Sequence, residues 1–132
     1  MASISVKMTD ETTSGKIVNE VEVLFAGELT TVKEIITARV SAEVANYNNQ
    51  MPAYYKGLIQ PTEAETTLNG YRLQQKRKVA VEQQVETALD AFGKNGYFIL
   101  IDNIQAESLE QMVVITPQTT ISFIKLTPLV GG

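Results

Sequence analysis

The groups in this sequence able to act as acids, bases or nucleophiles are 15 Asp and Glu, 11 Lys and Arg, hydroxyls and 5 Tyr phenols, with no His, Cys or Trp. Without imidazole or thiol there is no Ser-His-Asp triad, no cysteine nucleophile and no zinc site of the usual nitrogen and sulfur ligands. Disulfides are likewise excluded. Three local groupings remain. Arg72, Lys76, Arg77 and Lys78 form a basic cluster that suits an acidic partner or a phosphate, but its place before a helix reads better as a solvated turn. Tyr54, Tyr55 and Tyr71 offer either a recognition surface or, the preferred reading, packing of their segment against the sheet. Asp102-Asn103 has no second acid at catalytic spacing and sits where a hairpin turn is expected.

The elements that position these groups follow from periodicity. Ile4, Val6 and Met8 alternate with polar neighbours, and Val21, Val23 and Phe25 do the same after a polar stretch at 9–16, so two strands paired as a hairpin are expected. Thr31-Val32-Lys33-Glu34 has the form of a capping box. Val32, Ile35, Ile36, Val40, Val44 and Tyr47 then recur every three or four residues, which predicts a helix over 32–47 with one apolar stripe on the sheet. Asn48-Asn49-Gln50 and Pro52 end it.

From 48 to 96 the chain reads as an insertion, with a short helix expected just after Pro61 and a second helix over 79–92. That second helix would turn Val81, Val85, Ala88, Leu89 and Phe92 to one side and stop at a Gly93 C-cap. The apolar run 97–101 predicts an interior strand, 112–115 another, and the alternation over 120–126 a last strand, with Ile121 and Phe123 on one face. Residues 127–132, Thr-Pro-Leu-Val-Gly-Gly, lack the means to continue it and are expected as a flexible tail.

Composition places the chain among globular domains: 44% hydrophobic, 20% charged, net charge −4. The acidic balance supplies no global field for nucleic acid. The opening Met-Ala-Ser-Ile-Ser-Val lacks the basic and apolar regions of a signal peptide, and the run 97–101 is far too short to span a bilayer, so a cytoplasmic protein without a membrane partner is expected.

Hairpin, capped helix, then strands leading into Leu126-Thr127-Pro128-Leu129-Val130-Gly131-Gly132 resembles the ubiquitin-like β-grasp proteins, and the Pro-containing tail is similar to those of the molybdopterin and thiamine sulfur carriers. The likeness covers 3–47 and 97–132. It implies an α+β fold, a mixed sheet packed on a helix, as a single domain over 1–126 that carries the partly helical insertion, followed by the tail.

It also implies that the site is the tail itself: Gly132 and Gly131 for activation, with Leu126, Pro128, Leu129 and Val130 contacting the partner. Two glycines pass through a narrow channel and leave the carboxyl carbon unhindered by a Cβ. On this reading the chain is no enzyme and holds no cofactor. ATP is used by a partner activating enzyme, which adenylates Gly132, and a conjugating enzyme and a deconjugating peptidase are further expected partners. The leading expectation is a protein modifier joined to protein amines, favoured by the distinctive surface of the insertion. The alternatives are a sulfur carrier with a C-terminal thiocarboxylate, favoured by the tail, and a β-grasp interaction domain that is never activated.

Overall fold

The fold is taken from a computed structural model, which describes residues 3–50, 54, 55, 57–61, 64–67, 70–73 and 78–126. Strands β1 (Ile4–Glu11) and β2 (Ile17–Phe25) form the expected antiparallel hairpin, with Val6 opposite Val23 and Met8 opposite Val21. β1 runs past Met8 because Asp10 keeps the inward parity of residues 4, 6 and 8 and finds a buried cationic partner there. The polar stretch at 9–16 therefore shrinks to a short turn closed by Thr12 N–H on the Lys16 carbonyl at 2.9 Å.

A short strand, β3 (Leu29–Thr31), leads directly into helix α1 (Val32–Gln50). Thr31 Oγ1 accepts the Glu34 N–H at 3.2 Å and donates its proton to the Glu34 carboxylate at 3.2 Å. The box closes on the hydroxyl, and the N–H groups of Val32 and Lys33 are taken instead by the carbonyls of Gln111 and Leu109 at 3.1 and 2.9 Å. All six residues of the expected stripe are buried. The helix outlasts Tyr47 by three residues, and Asn48 holds the Val79 backbone with its side-chain amide at 2.8 and 3.0 Å.

The insertion departs from expectation. In place of a short helix just after Pro61, the described residues there are extended; β4 (Ala64–Thr67) and β5 (Gly70–Leu73) make an antiparallel hairpin, and an isolated bridge joins Tyr55 to Tyr71. Thr62 and Glu63, the proposed first turn, lie outside the described residues. Threonines at 66 and 67 favour the extended state, and the Tyr55 backbone gives that hairpin a partner that a helix could not use.

Helix α2 (Val81–Gly93) starts two residues later than expected, and its buried face centres on Gln84 and Ala88, leaving Val81 more than a third exposed. Gly93 stays inside the helix. The left-handed residue that ends it is Asn95 at φ 61°, with the Asn95 N–H on the Phe92 carbonyl at 3.1 Å and the Gly96 N–H on the Ala91 carbonyl at 2.8 Å. Asparagine tolerates that backbone region, so the C-cap falls on Lys94, one residue beyond the glycine, with the left-handed turn at Asn95.

Strand β6 (Tyr97–Ile101) turns through Asp102 and Asn103, at φ 50° and 68°, into the two-residue β7 (Ile104–Gln105), so the turn reading of that pair holds. β8 (Met112–Val114) pairs with β3, and β9 (Ile121–Lys125) is the last strand. The main sheet has the order β2-β1-β9-β6-β7, antiparallel throughout except for β9 beside β1, where Met8 faces Ile121. This is an α+β architecture with a mixed five-stranded sheet. Its core joins Val6, Met8, Val23 and Phe25 of the hairpin and Ile99, Ile121 and Phe123 of the inner strands to the stripe of α1. Among the described residues no helix is long and apolar enough to cross a membrane.

Candidate functional site: the end of β9 and the charges behind it

Of the residues expected to form the site, Leu126 follows directly on β9 with its side chain 37% exposed. Pro128, Leu129, Val130, Gly131 and Gly132 lie outside the described residues. What can be built from the residues upward is the platform from which they depart.

That platform contains a charge cluster that hydropathy reading passes over. Arg39 sits on the buried stripe of α1, fully enclosed, with Asp10 of β1 and Glu43 one turn along α1 as its partners. Its Nη1 bonds Asp10 Oδ1, its Nη2 reaches Asp10 Oδ2 at 2.6 Å, and its Nε and Nη2 reach Glu43 Oε1 and Oε2 at 3.1 and 3.3 Å. The guanidinium carbon lies 4.4 Å from the centroid of the Phe123 ring on β9. Asn19 on β2 donates to Asp10 Oδ2 at 3.4 Å, and the Leu58 N–H of the insertion donates to Glu43 Oε1 at 3.4 Å. A bidentate fork matched to two carboxylates is the geometry that only arginine supplies.

Burial by itself would lower the pKa of Arg39, but Glu43 and Asp10 together outweigh it and hold the guanidinium above its ordinary value. For Glu43 burial dominates and raises the pKa against the pull of Arg39. Lys125, the last residue of β9, is half-buried; its amine donates to the Gly57 carbonyl at 3.1 Å and lies 5.7 Å from the centroid of the Tyr71 ring. Burial lowers its pKa.

The cluster ties together β1, α1 and the insertion, and stacks against β9. Its carboxylates are engaged and enclosed, so they lack the access to solvent that a general acid or base acting on a substrate needs. Among the described residues no group of three or more carboxylates is placed to hold a metal ion.

The remaining sequence candidates fall on the packing side. Tyr55 is buried, with its ring edge-on to Tyr47 of α1 at 5.2 Å, whereas Tyr54 and Tyr71 are half-buried. The insertion is thus packed by tyrosine, but Tyr55 meets α1 rather than the sheet. Arg72 and Lys78 are exposed, but Arg72 belongs to strand β5 and not to the expected turn, and Lys76 and Arg77 lie outside the described residues. Asp102 Oδ1 accepts the Thr120 N–H at 2.9 Å, which fastens the turn to the start of β9.

The sequence signal that corresponds to the cluster is positional and went unread in the hydropathy pattern. Arg39 and Glu43 interrupt a stripe otherwise made of Ile, Val and Tyr at helical spacing, and Asp10 and Lys125 continue the inward parity of their strands. No family model, characterised protein or solved structure matches this chain.

Proposed function

We propose that this chain is a ubiquitin-like protein modifier of the cytoplasm whose Gly132 is adenylated by a partner enzyme and transferred to protein amines. The observation that carries the reading is the strand order β2-β1-β9-β6-β7 with β9 parallel to β1. A first hairpin, a crossing helix, a second hairpin and a last strand inserted in the middle resemble the β-grasp arrangement, in which the middle strand delivers the tail away from the body. Activation needs Gly132 to carry a free carboxylate. That carboxylate attacks the α-phosphorus of ATP and pyrophosphate leaves. A thiolate of the partner then displaces AMP from the acyl-adenylate. Finally a lysine amine displaces the thiolate, losing a proton as the isopeptide bond forms.

The sulfur-carrier reading shares the first step, and the Pro-containing run from Leu126 to Gly132 favours it. The insertion favours the modifier, because a carrier needs little beyond the core, whereas a modifier gains from a surface its enzymes can tell apart. Mass analysis of protein recovered from its native cell under denaturing conditions separates them. Gly132 joined to lysines of other proteins is the expected product. A thiocarboxylate alone, heavier by the difference between sulfur and oxygen, transfers the assignment to the carrier. Equal ATP–pyrophosphate exchange by the wild type and a Gly132 deletion overturns both.

A further inference from the structure

Strand β2 is an outer strand of the main sheet: β1 takes one side of its backbone, and no described residue pairs with the other. At nine residues it is long for an open edge, and proteins ordinarily blunt such edges with lysine, proline or a bulge, because the row of free N–H and C=O groups is a template for another strand. β2 carries neither lysine nor proline. Its register shift lies at the Ile17 end, where Asp10 pairs with Asn19 but Glu11 pairs with Ile17. A regular run, 19–25, is left open.

The side chains along this run are patterned. On the face turned away from α1, Glu20, Glu22 and Leu24 stand opposite Thr9, Lys7 and Ser5 of β1, and all three are exposed, Leu24 to 67%. Beyond the bulge Ile17, opposite Glu11, is 54% exposed. Lys7 is the one cation on this face of β1 and β2, and its 3.9 Å contact with Glu20 is solvent-exposed and weak. The edge is therefore apolar at its ends and acidic in its middle.

Charge selects the occupant. A second copy fits badly: antiparallel pairing of 19–25 on itself sets Glu22 against its own copy, and moving the axis to Val21 sets Glu20 against Glu22. Like charges directly opposite are destabilising, whereas cations at those two positions gain a cross-strand partner each.

We propose that the outer edge of β2 is a docking site for an extended segment of another protein, which adds as an antiparallel strand with an apolar side chain opposite Leu24 and Lys or Arg opposite Glu22 and Glu20. Main-chain hydrogen bonds hold the segment and the two carboxylates choose it. β1 separates this edge from β9, so the site is independent of what happens at Gly132.

The test uses a capped peptide, Thr-Val-Thr-Arg-Thr-Arg-Thr, which sets Val opposite Leu24 and Arg opposite Glu22 and Glu20. Titrated at low salt into the isotope-labelled protein, it should shift the amide resonances of 19–25 and slow their hydrogen exchange. A peptide with Glu for both Arg should bind wild type at least about tenfold more weakly, and the double variant Glu20→Lys, Glu22→Lys should reverse that preference. Methylating the alternate peptide nitrogens that face β2 should abolish binding, while methylating the other set should leave it intact. If the double variant does not fold by circular dichroism, the two peptides on wild type decide the matter. No response in 19–25 at millimolar peptide, equal binding of both peptides, or loss of binding with neither methylated set overturns the inference. A wild-type dimer protected over 19–25 overturns it too, by making a second copy the occupant.

Discussion

Replacing Arg39 by Met removes one charge and strands two. Arg39 is fully enclosed, and Asp10 and Glu43 are 2% and 7% exposed, so the variant leaves both carboxylates in the interior with one amide donor each, Asn19 and Leu58, at 3.4 Å. Removing one member of a buried ion cluster costs about 3–5 kcal/mol, because the abandoned charge keeps its desolvation penalty without compensation. Against a total stability of roughly 5–15 kcal/mol, that is a fifth or more of what holds the fold at neutral pH.

Urea unfolding at pH 7 followed by circular dichroism should show the midpoint falling with an unchanged slope. The triple variant Asp10→Leu, Arg39→Met, Glu43→Gln removes all three charges and keeps an acceptor for the Leu58 N–H. It should recover most of the loss, since replacing a whole buried cluster is neutral or stabilising by about 1–4 kcal/mol. A loss below about 1 kcal/mol for Arg39→Met, or a triple variant no more stable than the single one, refutes the reasoning.

Ile36→Ala, at a position with no exposure on α1, should cost about 2–5 kcal/mol in the same assay by transfer energy plus a cavity; a change under about 0.5 kcal/mol means the stripe is not packed on the sheet. Glu43 has a pKa raised in the fold, chiefly by burial, so between the unfolded and folded values the native state binds more protons and the stability Glu43 contributes falls as pH rises. The stability of wild type minus that of Glu43→Gln should therefore decline as pH climbs through and above the ordinary carboxylate range, and a difference that grows over that window contradicts the assignment.

Local rules are strong where one turn or one strand decides the outcome. The β1–β2 alternation, the Thr31–Glu34 box, the α1 stripe and the Asp102-Asn103 turn all depend on contacts within a few residues, and periodicity and turn chemistry made each of them legible. The same rules misplaced the end of α2, because glycine and asparagine can both take the left-handed backbone and the packing of residues 91–96 chose Asn95. They also misread the segment after Pro61, whose extended form depends on Tyr55 pairing with Tyr71, sixteen positions away. The absence of imidazole and thiol was settled by composition. Tertiary structure alone decided that Asp10 and Arg39, twenty-nine positions apart, would neutralise one another in the interior, and that Lys125 would meet Gly57 across sixty-eight residues. A charged side chain carries no local signal of its partner. Its burial is favourable only after the sheet and helix have brought the opposite charge within hydrogen-bonding distance, and that distance is a property of the assembled fold.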